Sequence, residues 1–502
     1  MAKICLCLTG KTIKRNLELL EKYRQQVDMA ELRADCLEPD ERLAIRRFPE
    51  QAGIPVILTI RRDLDGGFFT GGEASRVSLI SKGLAFADPN PRRNFAYVDL
   101  EEYFNVPSLE EAARAFGTRI IRSYHNRKGV DLDLPARIRS LCRVGDELVK
   151  AAVTPHTMDD VLRVFKAGWE TMDIEKTLVC MGSLGTPTRI LAEQMGSQIS
   201  YTAVKGEPDL PDLALGQFDP LELAELYRFR NITAKTRIFG ITGYPLQVTF
   251  SPLFFNTVFG LENIDAVYVP FPTDRLEPFM ELADRLGMGG ASVTIPHKES
   301  ILPYLAKSTE EVRSIGACNT IVYGQEGWTG YNSDAPGFSG ALLCFIGKKN
   351  FKGLRITVIG SGGAARAVVS EIYRLHGKAL ILNRTSSRAR ELAGPYRFAW
   401  GALDNQGIKE IEKYRDIIIQ TTSAGMEGDA EADPLESYAF SGFEVVMDLI
   451  YKPERTAFLR RAEAAGCRVL NGYDMLMRQA QLQYGYFINA EFPAHLMTRM
   501  RF

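Results

Sequence analysis

The sequence predicts an α/β chain in two parts, a closed (β/α)8 barrel and then a two-lobed α/β unit. Three observations carry that expectation. Eight short β-rich runs alternate with helix-patterned stretches before residue 225. The pattern changes from "RIFGITGYP" (237–245) onward. Within the second part, "LRITVIGSGGAARAVV" (354–369) reads as an apolar strand, a glycine-rich turn and a helix of small residues, the start of a Rossmann nucleotide-binding lobe.

The eight runs are "KICLCLT" (3–9), "DMAELRA" (28–34), "PVILTIR" (55–61), "AYVDLE" (96–101), "RIIRSYH" (119–125), "ELVKAAV" (147–153), "KTLVCM" (176–181) and "ISYTAV" (199–204). Each is apolar and short enough for a buried strand. Between most of them lie segments of helical period, such as "IKRNLELLEKYRQQ" (13–26) and "TMDDVLRVFKAG" (157–168). Eight such units are what a closed barrel needs; a doubly wound open sheet is the weaker alternative. The first domain is therefore expected at 1–225 and the second at 237–502. In the second, one lobe covers about 237–340 plus 472–502 and the nucleotide lobe about 341–471, joined to the barrel through "YRFRNITAK" (227–235).

Lys+Arg (61) and Asp+Glu (62) nearly cancel, so no global field recruits nucleic acid or an anionic membrane. "MAKICLCLTG" is too short and too quickly polar for a signal peptide, and no apolar stretch has the length to span a bilayer. The eight cysteines are scattered and fit neither a zinc site nor a redox motif, which predicts reduced thiols in a cytoplasm. The five histidines suggest no metal cluster either.

In a barrel the functional residues gather at the C-terminal ends of the strands. The polar residues fall there: Glu31 and Arg33, Arg61, Asp99 and Glu101, His125, Lys150, and Arg189 after the seventh run. Any one of these could be plain surface charge; their convergence is what points to a site. Lys150 sits at the centre of the apolar "DELVKAAVT" (146–154). Burial disfavours an ammonium by as much as ~3–5 pK units. A neutral amine can then attack a ketone and form a Schiff base. The alternative is a snorkelling lysine or a structural ion pair. His125, ending the preceding strand, favours the first reading, because an imidazole beside an iminium can take and return protons.

With "ELRAD" (31–35), "TIRRDLDGG" (59–67), "VDLE" (98–101), "SYH" (123–125), "ELVKAAV" (147–153), "MGSLGTPTRI" (181–190) and "GQF" (216–218), residues 3–220 resemble the type I 3-dehydroquinate dehydratases. The resemblance implies Lys150 as the Schiff-base residue and His125 as general acid/base. Glu31, Arg33, Arg61, Arg189 and Gln217 would hold the substrate's carboxylate and hydroxyls. The implied reaction is loss of water from 3-dehydroquinate to give 3-dehydroshikimate. Two positions depart from the family: Asp65 stands where a glutamate is usual, and "LAL" (213–215) where a serine- and proline-containing turn is usual.

In the second part the glycines at 360, 362 and 363 let a backbone approach a pyrophosphate, which then caps the following helix. The next strand ends in "ALILNRT" (379–385), where Arg384 suits the extra phosphate of NADP, as an acidic residue would suit NAD. Lys298 in "VTIPHK" (293–298) and Asp334 in "GYNSDAPG" (330–337) are candidates for a proton-handling pair, with His297 a bystander.

Together with "GYPLQVTFSPLFFN" (243–256), "GACNTIV" (316–322), "TTSAGM" (421–426), "MDLIYKPERT" (447–456) and "GYDMLMRQA" (472–480), residues 237–502 resemble shikimate dehydrogenase. The resemblance implies that Thr249 and Ser251 hold the substrate carboxylate and that Thr294, Asn319 and Gln479 bind ring hydroxyls beside Tyr451. Lys298 would donate a proton to the 3-keto oxygen, oriented by Asp334. The implied NADP set is Gly360, Gly362, Gly363, Ala364, Asn383, Arg384, Thr385, Thr422 and Gly472. Thr249 stands where the family has serine, which tightens the pocket by a methyl.

The expected function is therefore bifunctional, a dehydratase whose product is the substrate of a dehydrogenase on the same chain, with NADP as cofactor and no metal. The alternatives are a quinate/shikimate dehydrogenase using NAD(P) in the second half, or a non-catalytic regulator binding the same ligands. A regulator should have lost catalytic side chains, and this chain keeps Lys150, His125, Lys298 and Asp334.

Overall fold

The computed structural model describes residues 1–85, 88–211, 216–246, 249–426 and 428–498. The "LAL" departure at 213–215 lies outside the described residues. The chain forms two compact units, Met1–Met288 and Gly289–Phe502.

In the first unit all eight expected strands form: β1 (Lys3–Leu8), β2 (Met29–Arg33), β3 (Val56–Thr59), β4 (Tyr97–Glu101), β5 (Arg119–Asn126), β6 (Leu148–Val153), β7 (Lys176–Cys180) and β8 (Ile199–Ala203). They pair in parallel in the order β7-β6-β5-β4-β3-β2-β1-β8. The ring is nearly closed. β7 and the entry to β8 meet through a bridge between Lys176 and Ser197, a hydrogen bond from the Gln198 amide to the Lys176 carbonyl (2.8 Å) and one from the Leu178 amide to Ser197 Oγ (2.8 Å). Their residues are buried on both faces, as parallel strands sheathed by helices are, which is why they read as unbroken apolar runs. The helix Met158–Glu170 starts at a capping box, in which Thr157 accepts from the Asp160 amide and Asp160 accepts from the Thr157 amide.

Beyond the barrel this unit continues through β9 (Arg237–Gly243) and β10 (Ala266–Pro272), a parallel pair, and the helix Leu276–Arg285. Ties back to the barrel hold this stretch: Lys166 pairs with Glu281 at 2.7 Å, and the Met158 amide donates to Asp274 at 2.9 Å. Arg228, in the connecting stretch, donates to the carbonyls of Phe259, Ile264 and Ala266.

The second unit opens with a mixed sheet of β11 (Gly290–Val293), β12 (Lys307–Ser308), β13 (Thr320–Gly324) and β14 (Gly327–Tyr331). There β13 runs antiparallel to both β11 and β14. A fully parallel sheet follows: β15 (Arg355–Ile359), β16 (Lys378–Asn383), β17 (Ala399–Ala402), β18 (Ile417–Gln420), β19 (Val445–Asp448) and β20 (Arg468–Leu470). Its order, β17-β16-β15-β18-β19-β20, reverses between β15 and β18, and ligands of such sheets bind at that switch point. Alternate residues serve two cores: Ile356 and Val358 pack with Val368 and Ile372 on one face, while Ile359 packs with Phe458 and Leu459 on the other. Among the described residues no helix is long and apolar enough to cross a membrane.

Candidate active sites

Side chains alternate along a strand, so each barrel strand sends every second residue inward. Cys5, Met29, Ile57, Ile121, Leu148 and Ile199 make an apolar layer. Two residues further along, the same strands present Cys7, Glu31, Thr59, Ser123, Lys150 and Tyr201, and beyond those Arg33, Arg61 and His125. A cavity of about 560 Å³ opens at this end, and it is lined by all seven residues the sequence assigned to it: Glu31, Arg33, Arg61, His125, Lys150, Arg189 and Gln217.

Lys150 corrects one expectation. It is buried, but its ammonium is not left to desolvation: Nζ donates to Asp99 at 3.1 Å and stands 3.6 Å from Glu31. Burial by itself pulls this lysine down, yet Asp99 and Glu31 outweigh it and hold the group above the ordinary lysine range. The face of Tyr201 lies 4.2 Å from Nζ and adds a cation–π contact. The two sequence alternatives thus coincide, since the lysine at the head of the pocket is also the centre of an ion-pair cluster. Asp99 and Tyr201 carry this cluster, and neither was assigned to the site from sequence. Asp99 was visible as a polar strand end, but its partners were not.

Burial works against an ionised carboxyl, but Arg61 and Lys150 hold Asp99 far below the usual carboxylate range. Glu31, where Lys150 and Arg33 overcome the same penalty, is also lowered; it accepts from Thr59 Oγ1 at 2.8 Å. Burial, then Arg61 and Lys150, push His125 well below the ordinary histidine value, so the imidazole is neutral at neutral pH. Arg33 is clamped by both oxygens of Asp35 (3.0 and 2.7 Å), and Arg61 commits its terminal nitrogens to Asp99 (2.8 Å) and Glu101 (2.7 Å). Both arginines are held up by those carboxylates. Arg189 differs: burial pulls it down to about 10. Gln217 Oε1 is buried and has no hydrogen-bond partner among the described residues. Asp65, the departure from glutamate, turns to Arg62 (2.8 Å) and to the Tyr103 hydroxyl.

In the second unit Lys298 and Asp334 are in direct contact, Nζ to Oδ2 at 2.5 Å. Asp334 opens the helix Asp334–Ile346, where a carboxylate is favoured by the helix dipole. Asn319 donates to Asp334 Oδ1 at 2.8 Å and to Ser333 Oγ at 2.9 Å, and Ser333 Oγ donates to Gln479 at 3.3 Å. Four predicted residues, Lys298, Asp334, Asn319 and Gln479, are thereby joined in one network, and Ser333, which bridges it, was missed. Thr294 accepts the His297 amide through its carbonyl (2.8 Å), and His297 is buried beside the half-buried Lys298. Tyr451 is half-buried just beyond β19. Thr249 and Ser251 lie in the first unit, at the start of the helix Ser251–Leu261, where the Ser251 amide donates to Thr249 Oγ1 at 3.4 Å.

The glycine-rich turn sits at the end of β15. Gly360 has φ of +112°, and a Cβ there would stand 2.5 Å from Thr421 Oγ1, so only glycine fits. Gly362 precedes the helix Gly363–Arg374 with open space around its missing side chain and no side-chain cap on the helix amides. That leaves backbone donors aimed outward, as a pyrophosphate requires. The Lys298 stem lies 3.3 Å from where a Gly363 Cβ would be, which brings this lysine to the head of the helix. Ala364 is in its first turn; Asn383 donates to the Thr385 carbonyl (3.0 Å), and exposed Arg384 stands between them at the end of β16. Thr422 packs against Gly360. Gly472 allows close packing, since a Cβ would fall 2.0 Å from the Leu449 carbonyl. These residues fit a dinucleotide with a 2′-phosphate.

Residues 4–234 match the type I 3-dehydroquinases, 241–321 the shikimate dehydrogenase substrate-binding domain and 346–427 the shikimate/quinate 5-dehydrogenases. The bifunctional 3-dehydroquinate dehydratase/shikimate dehydrogenase of Arabidopsis thaliana chloroplasts is 28% identical over 98% of this chain and 83% of its own length. The NADP(+) shikimate dehydrogenase of Maridesulfovibrio salexigens is 36% identical over 49% of this chain and 90% of its own. A shikimate dehydrogenase solved with NADP+ is 32% identical, covering 53% of this chain and 95% of its own, at a TM-score of 0.49. The first part of the chain matches the type I 3-dehydroquinase family model, and through its second part the chain belongs to the shikimate dehydrogenase family.

Proposed function

We propose that this chain catalyses two consecutive reactions, dehydration of 3-dehydroquinate and NADPH-dependent reduction of the resulting 3-dehydroshikimate to shikimate. The observation that carries the reading is the pairing of two complete sites, Lys150 with His125 on one cavity and Lys298 with Asp334 beside a glycine-rich helix start.

In the barrel, Lys150 gives one proton to neutral His125 and its freed amine attacks the ketone carbon; the carbonyl oxygen takes up one proton from the attacking nitrogen and the one held by His125 and leaves as water, forming an iminium. The surroundings suit that species: Asp99, Glu31 and the Tyr201 face hold a cation at Nζ, whether ammonium or iminium. Neutral His125 removes the proton next to the iminium carbon, and the resulting enamine expels the hydroxyl, to which His125 returns the proton. Water then adds to the conjugated iminium and frees Lys150. Arg189 and Gln217 hold the carboxylate and a hydroxyl, with Glu31, Arg33 and Arg61 framing the pocket.

In the second reaction NADPH, when bound, supplies a hydride to the ketone carbon. Lys298 donates the proton that the carbonyl oxygen takes up, and Asp334, fixed by Asn319, keeps the ammonium aimed. Thr249 and Ser251 act as carboxylate-binding hydroxyls, Thr294, Asn319 and Gln479 hold ring hydroxyls and Tyr451 lines the pocket. Gly360, Gly362, Gly363 and Ala364 receive the pyrophosphate, and Asn383, Arg384, Thr385, Thr422 and Gly472 frame the rest of NADP.

The functional boundary is proposed between residues 225 and 237, ahead of the end of the compact unit at Met288. All eight cysteines are free thiols, which supports a cytoplasmic setting. The test is to supply 3-dehydroquinate and NADPH and follow NADPH oxidation and shikimate formation. Lys150→Ala should abolish turnover from 3-dehydroquinate but keep it from 3-dehydroshikimate; Lys298→Ala should stop at 3-dehydroshikimate. Loss of both activities in either well-folded variant would refute two separate sites.

A further inference from the structure

Arg127 follows His125 by two residues at the mouth of the barrel, lines the same cavity and is exposed. Its guanidinium lies against Gly66 of the loop after β3: a Cβ at Gly66 would fall 2.7 Å from Nη1 and 3.3 Å from Cζ. With φ of +80°, Gly66 is a position that disfavours any larger residue, so the resting place of Arg127 is built into the turn. Four other cations that line the cavity are paired with carboxylates. Arg33 is clamped by Asp35, Arg61 by Asp99 and Glu101, Lys150 by Asp99 and Glu31, and Lys205 by Glu222. Arg127 makes no ion pair among the described residues, and neighbouring Asp65 is turned to Arg62 and Tyr103 instead.

We propose that Arg127 is a specificity-determining residue of the barrel site, the cation that captures the carboxylate of the incoming substrate at the mouth. This rests on the dehydratase reading. A buried, desolvated Arg189 suits the final pose of a carboxylate, while an exposed, unneutralised guanidinium on the rim suits its approach. Arg127 therefore acts on capture, and the chemistry at Lys150 proceeds without it once the site is filled.

The experiment measures dehydratase kinetics of wild type, Arg127→Ala and Arg127→Lys across an ionic-strength series. Arg127→Ala should raise KM about two- to five-fold, the range of an exposed ion pair. It should leave kcat nearly unchanged and flatten the fall of kcat/KM with salt; Arg127→Lys should restore most of both. An unchanged KM with the wild-type salt dependence would overturn the proposal, as would a loss confined to kcat. A wild-type protein that does not turn over 3-dehydroquinate would sink the dehydratase reading, and this proposal with it.

Discussion

Lys150 Nζ donates to Asp99 Oδ2 at 3.1 Å inside the barrel, a pair whose members are 51 residues apart in sequence and both buried. Asp99 also takes a bond from Arg61 at 2.8 Å and one from Ser123 at 2.5 Å, so it anchors two cations. Removing one partner of such a cluster leaves the other buried and uncompensated. Asp99→Asn should destabilise the fold by about 3–5 kcal/mol in urea unfolding. It should also cost dehydratase activity while dehydrogenase activity persists at low denaturant. A wild-type unfolding midpoint in this variant would show that the pair contributes little.

His125 is held neutral by burial and by the charges of Arg61 and Lys150. In the proposed dehydration the neutral form is the base, and its pKa lies well below the ordinary 6.5. As pH falls, activity should therefore survive through 6.5 and decline only well below it. The pH dependence of dehydratase kcat/KM checks this; an acidic limb at or above pH 6.5 would contradict the electrostatic reading of the pocket.

Arg384, exposed at the end of β16, should select NADP. A charge-assisted hydrogen bond to the 2′-phosphate contributes roughly 1.5–3 kcal/mol, or about one to two powers of ten in affinity. Arg384→Ala should weaken NADP binding by that factor and NAD binding far less, as titration calorimetry would read. Equal losses for the two cofactors would make Arg384 a loop-supporting residue only.

Asp448 ends β19, is fully buried and is pushed up to about 6, chiefly by desolvation. It accepts from the Ile450 amide (3.0 Å) and from Thr456 Oγ1 (2.7 Å). A carboxyl with a folded pKa above its unfolded one binds more protons when folded. Its contribution is therefore favourable below about pH 4 and is lost as pH rises towards 6. Asp448→Asn should gain stability relative to wild type between pH 4.5 and 7, by up to about 3 kcal/mol. A pH-independent difference between the two would contradict this.

The barrel was legible because its strands are buried on both faces, so they appear as apolar runs, several with a polar residue at the end. The glycine-rich turn was legible for a similar reason, since Gly360 and Gly363 answer to local backbone and packing demands. What the sequence withheld is contact at a distance. Asp99 pairs with Lys150 only because barrel closure brings β4 and β6 into range. Ser333 joins Asn319 to Gln479, which lies 146 residues beyond Ser333. No spacing rule reports either. The placement of β9 and β10 in the compact unit that ends at Met288 depends on packing such as the Lys166–Glu281 pair, which also carries no local signature.

In the proposed dehydration Lys150, though paired as an ammonium at rest, forms the imine with substrate. Borohydride added together with 3-dehydroquinate, followed by peptide mass spectrometry, tests it most directly. The reduced ligand should appear on the peptide containing Lys150, stoichiometric with loss of dehydratase activity, and not at all in Lys150→Ala. Labelling at another lysine, or dehydration that survives in Lys150→Ala, would contradict it.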